Sequence, residues 1–230
     1  MARHYVLLDA CVAAAHFAPK TTQSANLKSR ATTLFSGSAP GIEVRFLIPN
    51  FCIAEVFAVL EKYRWGKGWN RHVKVALTPA EFAAARARFG AAIHNGASLL
   101  QVELDRYHIL CVDLVSPVNN AYKIKRDRTK KTNVTPAKTY DMLLVAMRIW
   151  LQHQYGTDSF TILTGDERLA AVVERAKSAK LGRPIRQHLS DAATGLGLAY
   201  GSSLYPTVIN LTRAGKAELT SRFPGWVPSW

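Results

Sequence analysis

Acidic residues are what this chain has little of. Its 230 residues include 16 Asp and Glu against 30 Lys and Arg, a formal net charge of +14. An excess of that size points to a polyanionic partner, with nucleic acid ahead of an anionic membrane surface. Cysteine is also scarce. Cys11, Cys52 and Cys111 all lie in or beside apolar runs, and none has CxxC spacing. They read as buried free thiols in a reducing compartment, and no zinc site is needed to explain them. No apolar stretch approaches the ~20 residues needed to span a bilayer. No basic amphipathic helix suggests a membrane surface either, so no membrane partner is expected. Arg3 ahead of an apolar run imitates a signal peptide, but Asp9 interrupts that run, and a cytoplasmic chain is expected. Gly195, Gly197 and Gly201 do not spell GxGxxG after a strand, which excludes a dinucleotide site. Neither an internal repeat nor a linker divides the chain, so a single domain over 1–230 is expected.

What is present is a pair of short apolar runs, each ending in acid. Tyr5-Val6-Leu7-Leu8 runs into Asp9, and Phe160-Thr161-Ile162-Leu163-Thr164 runs into Gly165-Asp166-Glu167. Short unbroken apolar runs are the mark of strands buried on both faces. In open α/β sheets the carboxyl ends of such strands are where ligands bind. Two helical segments carry an acid near their starts, Glu55 and Asp141. If the strands are parallel neighbours, all four acids gather at one sheet edge. Two carboxylates about 4 Å apart repel by roughly 4 kcal/mol at an effective dielectric near 20. Protons or hard divalent cations relieve that repulsion. Each acid also has a plainer explanation: Asp141 suits a helix dipole, Asp166 can be a cap, and Glu55 can be a solvated helix residue.

Taken in order, the chain alternates strands and helices, which predicts an α/β fold. Ala10 to Phe17 reads as a helix start or a packed turn, and a helix ends near Ser36-Gly37. Val44 to Ile48 reads as a strand. Asn50 can cap a helix whose stripe is Ile53, Val56, Phe57 and Leu60. Thr78-Pro79-Ala80-Glu81 is a capping box that opens a helix to about His94. Tyr107 to Val112 reads as a strand ending at Asp113. Pro136 to Tyr155 is the clearest helix, Asp166 opens another, and Tyr205 to Leu211 is a last strand before a short helix from Arg213.

Two basic stretches stand out as candidate nucleic-acid contacts. One interleaves Lys62, Arg64, Lys67 and Arg71 with Trp65 and Trp69, a mixture in which rings stack on bases and cations follow phosphates. The other is the run Lys123, Lys125, Arg126, Arg128, Lys130 and Lys131, either a solvated loop or an arm that neutralises phosphates.

The segments Tyr5 to Asp9, Ile48 to Leu60, Tyr140 to Met147 and Thr161 to Leu169 together resemble the motifs of PIN-domain nucleases. The resemblance implies a three-layer α/β/α sandwich around a central, mainly parallel sheet. It implies that Asp9, Glu55, Asp141 and Asp166 hold one or two Mg²⁺ or Mn²⁺ ions, with Thr164 assisting. It implies a metal-dependent endoribonuclease cutting single-stranded or structured RNA to leave 5′-phosphate and 3′-hydroxyl ends. Many of its members are the toxins of bacterial toxin–antitoxin pairs, so an antitoxin protein and a homodimer are partners to look for. The stretches around 62–100 and 116–136 read as insertions and 212–230 as a C-terminal extension. Asp113, Asp158, Glu167 and Asp191 are candidates for a fifth ligand. The competing readings are a non-catalytic nucleic-acid binder of the same fold and a nuclease acting on DNA. A phosphatase of the haloacid dehalogenase type wants a second aspartate two residues after the first, where this chain has Cys11.

Overall fold

The computed structural model describes residues 2–19, 25–38, 41–65, 76–96, 98–121, 137–156, 160–178, 181–223 and 225–226. Five runs become strands: β1 (Ala2–Leu8), β2 (Ile42–Pro49), β3 (Leu100–Val102), β4 (Phe160–Thr164) and β5 (Thr207–Asn210). They form one all-parallel sheet in the order β3-β2-β1-β4-β5. Pairing runs from Ala2↔Ile42 to Leu7↔Leu47 between β1 and β2, and from Leu47↔Leu100 to Pro49↔Val102 between β2 and β3. Val6, Leu7 and Leu8 are fully buried, and every residue of β4 is buried. That is the burial a parallel sheet shows when helices cover both faces. The expected three-layer α/β/α sandwich is the fold observed. Strand order reverses at β1: the chain steps outward through β2 and β3, then returns to the other side of β1 with β4.

Nine α-helices are bounded among the described residues: α1 (Ala10–Phe17), α2 (Ala25–Phe35), α3 (Asn50–Trp65), α4 (Pro79–Asn95), α5 (Arg106–Leu110), α6 (Thr139–Tyr155), α7 (Glu167–Lys177), α8 (Arg183–Gly195) and α9 (Lys216–Arg222). None of them is long and apolar enough to cross a membrane. The chain divides into two compact units. One comprises Met1–Glu103, Leu163–Gly165 and Ile209–Trp230; the other comprises Leu104–Ile162 and Asp166–Val208.

In the first unit small side chains set the packing of α1, where Ala13, Ala14 and Ala15 are fully buried. Phe89 of α4 fills the space between helices, with its ring 5.2 Å from that of Phe17 and 5.1 Å from that of Phe57. The capping box read from the sequence opens α4. Thr78 Oγ1 accepts the Glu81 N–H at 3.2 Å, and Glu81 Oε2 accepts the Thr78 N–H at 2.9 Å. Gly96 closes the helix at φ 60, a conformation that favours glycine.

In the second unit α6 is buried along its length from Leu144 to Leu151. The Asn119 amide ties down its approach, donating to Ala137 O and accepting from Ala137 N, both at 3.1 Å. Here the structure corrects one sequence expectation. Tyr107 to Val112 is not a strand. It forms α5 and then a 3₁₀ turn over Cys111–Leu114. Asp105 decides this. Its carboxylate accepts the N–H groups of Tyr107 (2.8 Å) and His108 (3.0 Å), while His108 Nδ1 accepts the Asp105 N–H at 3.0 Å. Backbone donors satisfied by a local side chain favour a helix start over a sheet ladder. The third strand is instead the three-residue β3, and α8 is a helix that the sequence reading did not identify.

Candidate functional site

In the first unit the site is built on Asp9, which follows β1 and caps α1. Its extended backbone (φ −71, ψ 146) ends the strand and turns its carboxylate back onto the helix start. The Asp9 N–H still donates to Leu163 O of β4 at 3.0 Å. Asp9 is 9% exposed, and a carboxylate so covered needs hydrogen-bond donors. Thr164, fully buried at the end of β4, donates its hydroxyl to Asp9 Oδ2 at 2.6 Å. The Cys11 thiol donates to the same oxygen at 3.1 Å. Burial first, and the Asp9 charge second, push the Cys11 thiol well up, which keeps its proton in place for that bond. The Cys11 sulfur in turn accepts the Gly165 N–H at 3.1 Å. A side chain on Gly165 would bring a carbon 3.1 Å from Leu27 Cδ2 and 3.2 Å from Cys11 Sγ, so glycine lets the two strand ends close up. Glu55 lies half-buried in the second turn of α3, beside the fully buried Val56.

In the second unit Asp166 caps α7. It accepts the Arg168 N–H at 2.7 Å. The Arg168 guanidinium then folds over the same carboxylate, with Nε 3.1 Å from each oxygen and Nη2 2.5 Å from Oδ2. Burial pulls the Asp166 carboxyl up. The hydrogen bonds from Arg168, with the charges of Arg168 and Lys138, outweigh it and hold the group below its ordinary value. Asp141, half-buried in the first turn of α6, accepts the Lys138 N–H at 2.7 Å. Its charge also acts on Arg168, whose guanidinium is raised chiefly by the Asp166 hydrogen bond. Asp141 and Asp166 thus share one guanidinium as counter-charge.

Among the proposed fifth acids, Asp113 pairs with His188 Nε2 at 3.0 Å and Asp191 accepts from Gln187 at 2.9 Å. Glu167 is exposed, and Asp158 lies outside the described residues. Among the nucleic-acid candidates, Lys62, Arg64 and Trp65 form the last turn of α3. Lys67, Trp69, Arg71, Lys123, Lys125, Arg126, Arg128, Lys130 and Lys131 lie outside the described residues. Sequence reasoning missed Arg168 and gave Cys11 no part beyond a buried thiol. The only sequence signal for either is its place two residues after an acid that ends a strand.

Carboxylate oxygens are the donors that hard divalent cations take, so the acids fit Mg²⁺ or Mn²⁺ in kind. Among the described residues, no group of three or more His, Cys, Asp or Glu side chains is placed to hold a metal ion. In comparisons with known proteins, no family model and no curated protein matches the chain.

Proposed function

We propose that this chain is a divalent-metal-dependent endoribonuclease of the PIN type. The observation that carries the reading is the Asp9–Thr164 pair. It joins the carboxyl ends of β1 and β4, the two strands between which sheet order reverses, where open α/β sheets bind their ligands. The +14 net charge supports a polyanionic substrate. Asp9, Glu55, Asp141 and Asp166 are the proposed ligands for Mg²⁺ or Mn²⁺. Such an ion, when bound, lowers the pKa of a water and offsets the charge that builds on the attacked phosphate. Thr164 and Cys11 fix which way the Asp9 carboxylate faces, and Asp166 keeps its charge beside Arg168. No histidine or serine nucleophile is required. An antitoxin protein and a second copy of the chain remain the partners suggested by the sequence resemblance.

A second reading is favoured by one observation. Arg168 already neutralises Asp166, as in a site that serves structure alone. On that reading the chain binds nucleic acid without cutting it.

Cleavage of a panel of single-stranded RNA and DNA, with Mn²⁺, Mg²⁺ or EDTA, separates the readings. Metal-dependent cutting of RNA that is lost in Asp9→Asn is the expected result. Cutting confined to DNA moves the activity to deoxyribonuclease. Binding without cutting in any metal leaves the binder.

A further inference from the structure

On the α3–α4 face of the first unit, cations and aromatic rings alternate. The Arg64 guanidinium lies 5.0 Å from the centroid of Trp65 and 5.2 Å from that of Phe82. Arg86, one turn on from Phe82 in α4, lies 5.4 Å from Phe82 and 5.6 Å from Phe57. Two guanidinium groups therefore flank one buried ring. Among the described residues, neither has a carboxylate partner within salt-bridge distance. The nearby acid Glu61 is engaged by the Trp65 indole N–H at 3.0 Å. Trp65 itself is 53% exposed, a large apolar area for the end of a surface helix.

Like charges gathered without counter-ions raise the energy of the free protein, and an anion relieves it. Anions alone do not account for an exposed tryptophan, since phosphate gains nothing from an indole face. Single-stranded nucleic acid supplies both needs, because its bases stack on aromatic rings while its phosphates meet the cations. A duplex keeps its bases paired and stacked inside, and offers only the phosphates.

We infer that the α3–α4 face, through Arg64, Trp65 and Arg86, is a docking surface for single-stranded nucleic acid. This rests on the nucleic-acid part of the proposed function and deepens it, but does not depend on catalysis. Trp65 stacks on a base, and Arg64 and Arg86 hold neighbouring phosphates. The pairing of each guanidinium with a ring orients it at little entropic cost.

The test is fluorescence anisotropy with a short labelled single-stranded RNA, its duplex, and inorganic polyphosphate as a base-free anion. It uses the full chain carrying Asp9→Asn, in EDTA, at several salt concentrations. Trp65→Ala is expected to weaken binding of the single strand by roughly tenfold and to leave polyphosphate binding unchanged. Trp65→Phe should recover most of that loss. Arg86→Gln is expected to weaken all three ligands and to lower the salt slope by about one. Both positions are exposed, and matching circular dichroism and melting curves will show that the variants are folded. Single-strand affinity that survives both Trp65→Ala and Arg86→Gln overturns the inference. So does a Trp65→Ala loss that is equal for polyphosphate and RNA. Failure here leaves metal-dependent cleavage untouched as a separate result. Conversely, a chain that binds through Trp65 and Arg86 but never cuts removes the nuclease reading and keeps the surface.

Discussion

Thr164 Oγ1 donates to Asp9 Oδ2 at 2.6 Å, across 155 residues of chain. Both side chains sit at strand ends, one where β1 stops and one where β4 stops. The contact is also energetic, because a 9%-exposed carboxylate must recover in hydrogen bonds what it loses in hydration. The Cys11 thiol also donates to it, and Gly165 holds that thiol from behind. Thr164, Cys11 and Gly165 therefore fix the direction of one carboxylate.

Thr164→Val keeps the shape of the side chain and removes the hydroxyl. A hydrogen bond to a charged group contributes about 1.5–3 kcal/mol, so the variant should lose about 2 kcal/mol of stability. Urea unfolding measures the loss, and the same substitution in an Asp9→Asn background measures how much depends on the charge. Equal losses in both backgrounds would show that the charge of Asp9 adds nothing to that bond.

His16 is a source of pH dependence away from the candidate site. Its ring stacks on Phe35 at 4.1 Å, and its Nδ1 is buried with no hydrogen-bond partner among the described residues. Burial first, then the charges of Lys28 and Arg88, pull its pKa down from 6.5 to about 4. Between those two values the unfolded chain binds a proton that the fold rejects. Stability conferred by neutral His16 is therefore complete above pH 6.5 and is lost as pH falls toward 4. His16→Phe keeps a ring for the stack and removes the orphaned nitrogen. It should match or exceed the parent at neutral pH and lose less stability on acidification, as read from urea midpoints across that window. Parallel acid limbs for the two proteins would show that His16 is not the group responsible.

The parts of the fold that were legible in the sequence were those whose pattern is long or whose ends are marked. β1 and β4 are continuous apolar runs closed by acid, α4 announces itself with a capping box, and α6 has a full apolar stripe. β3 was not legible because three residues are too few to show a period of two. α8 was obscured because its buried side is thin, Leu189 and Ala193 among arginine, glutamine and histidine. The candidate site divides in the same way. The place of Asp9 was readable because the end of a buried run fixes where a polar residue must emerge, whereas Thr164 was named only through the family resemblance. The Arg168 fork on Asp166 and the Cys11 bond to Asp9 were not readable, since both depend on cap geometry set by the backbone. Arg86 needed the packing of α4 against α3 before its place beside Phe57 could be seen.

Asp105→Ala tests why α5 is a helix. The substitution removes the acceptor for two backbone N–H groups, and losing such a cap costs about 1 kcal/mol. A lower melting temperature is expected, with Asp105→Asn close to the parent. Hydrogen exchange should show the Tyr107 and His108 amides losing protection in the alanine variant. Retained protection there would mean that packing of α5, rather than its cap, fixes the helix.

Arg168→Gln tests whether Asp166 is meant for a cation. In the second unit the guanidinium occupies both oxygens of Asp166 and lies in the field of Asp141. A divalent ion taking Asp166 must first displace those bonds. Hydrogen bonds to charged groups contribute about 1.5–3 kcal/mol, and the lower figure corresponds to roughly tenfold in affinity. Calorimetric titration of Mn²⁺ into the RNA-free chain should therefore show roughly tenfold tighter binding in Arg168→Gln. In Asp166→Asn, which takes away the anionic oxygen, it should show clearly weaker binding. The two variants move the same equilibrium in opposite directions, which a general loosening of α7 would not do. Mn²⁺ affinity unchanged in both would take Asp166 out of the ligand set and leave Arg168 as the permanent partner of that carboxylate.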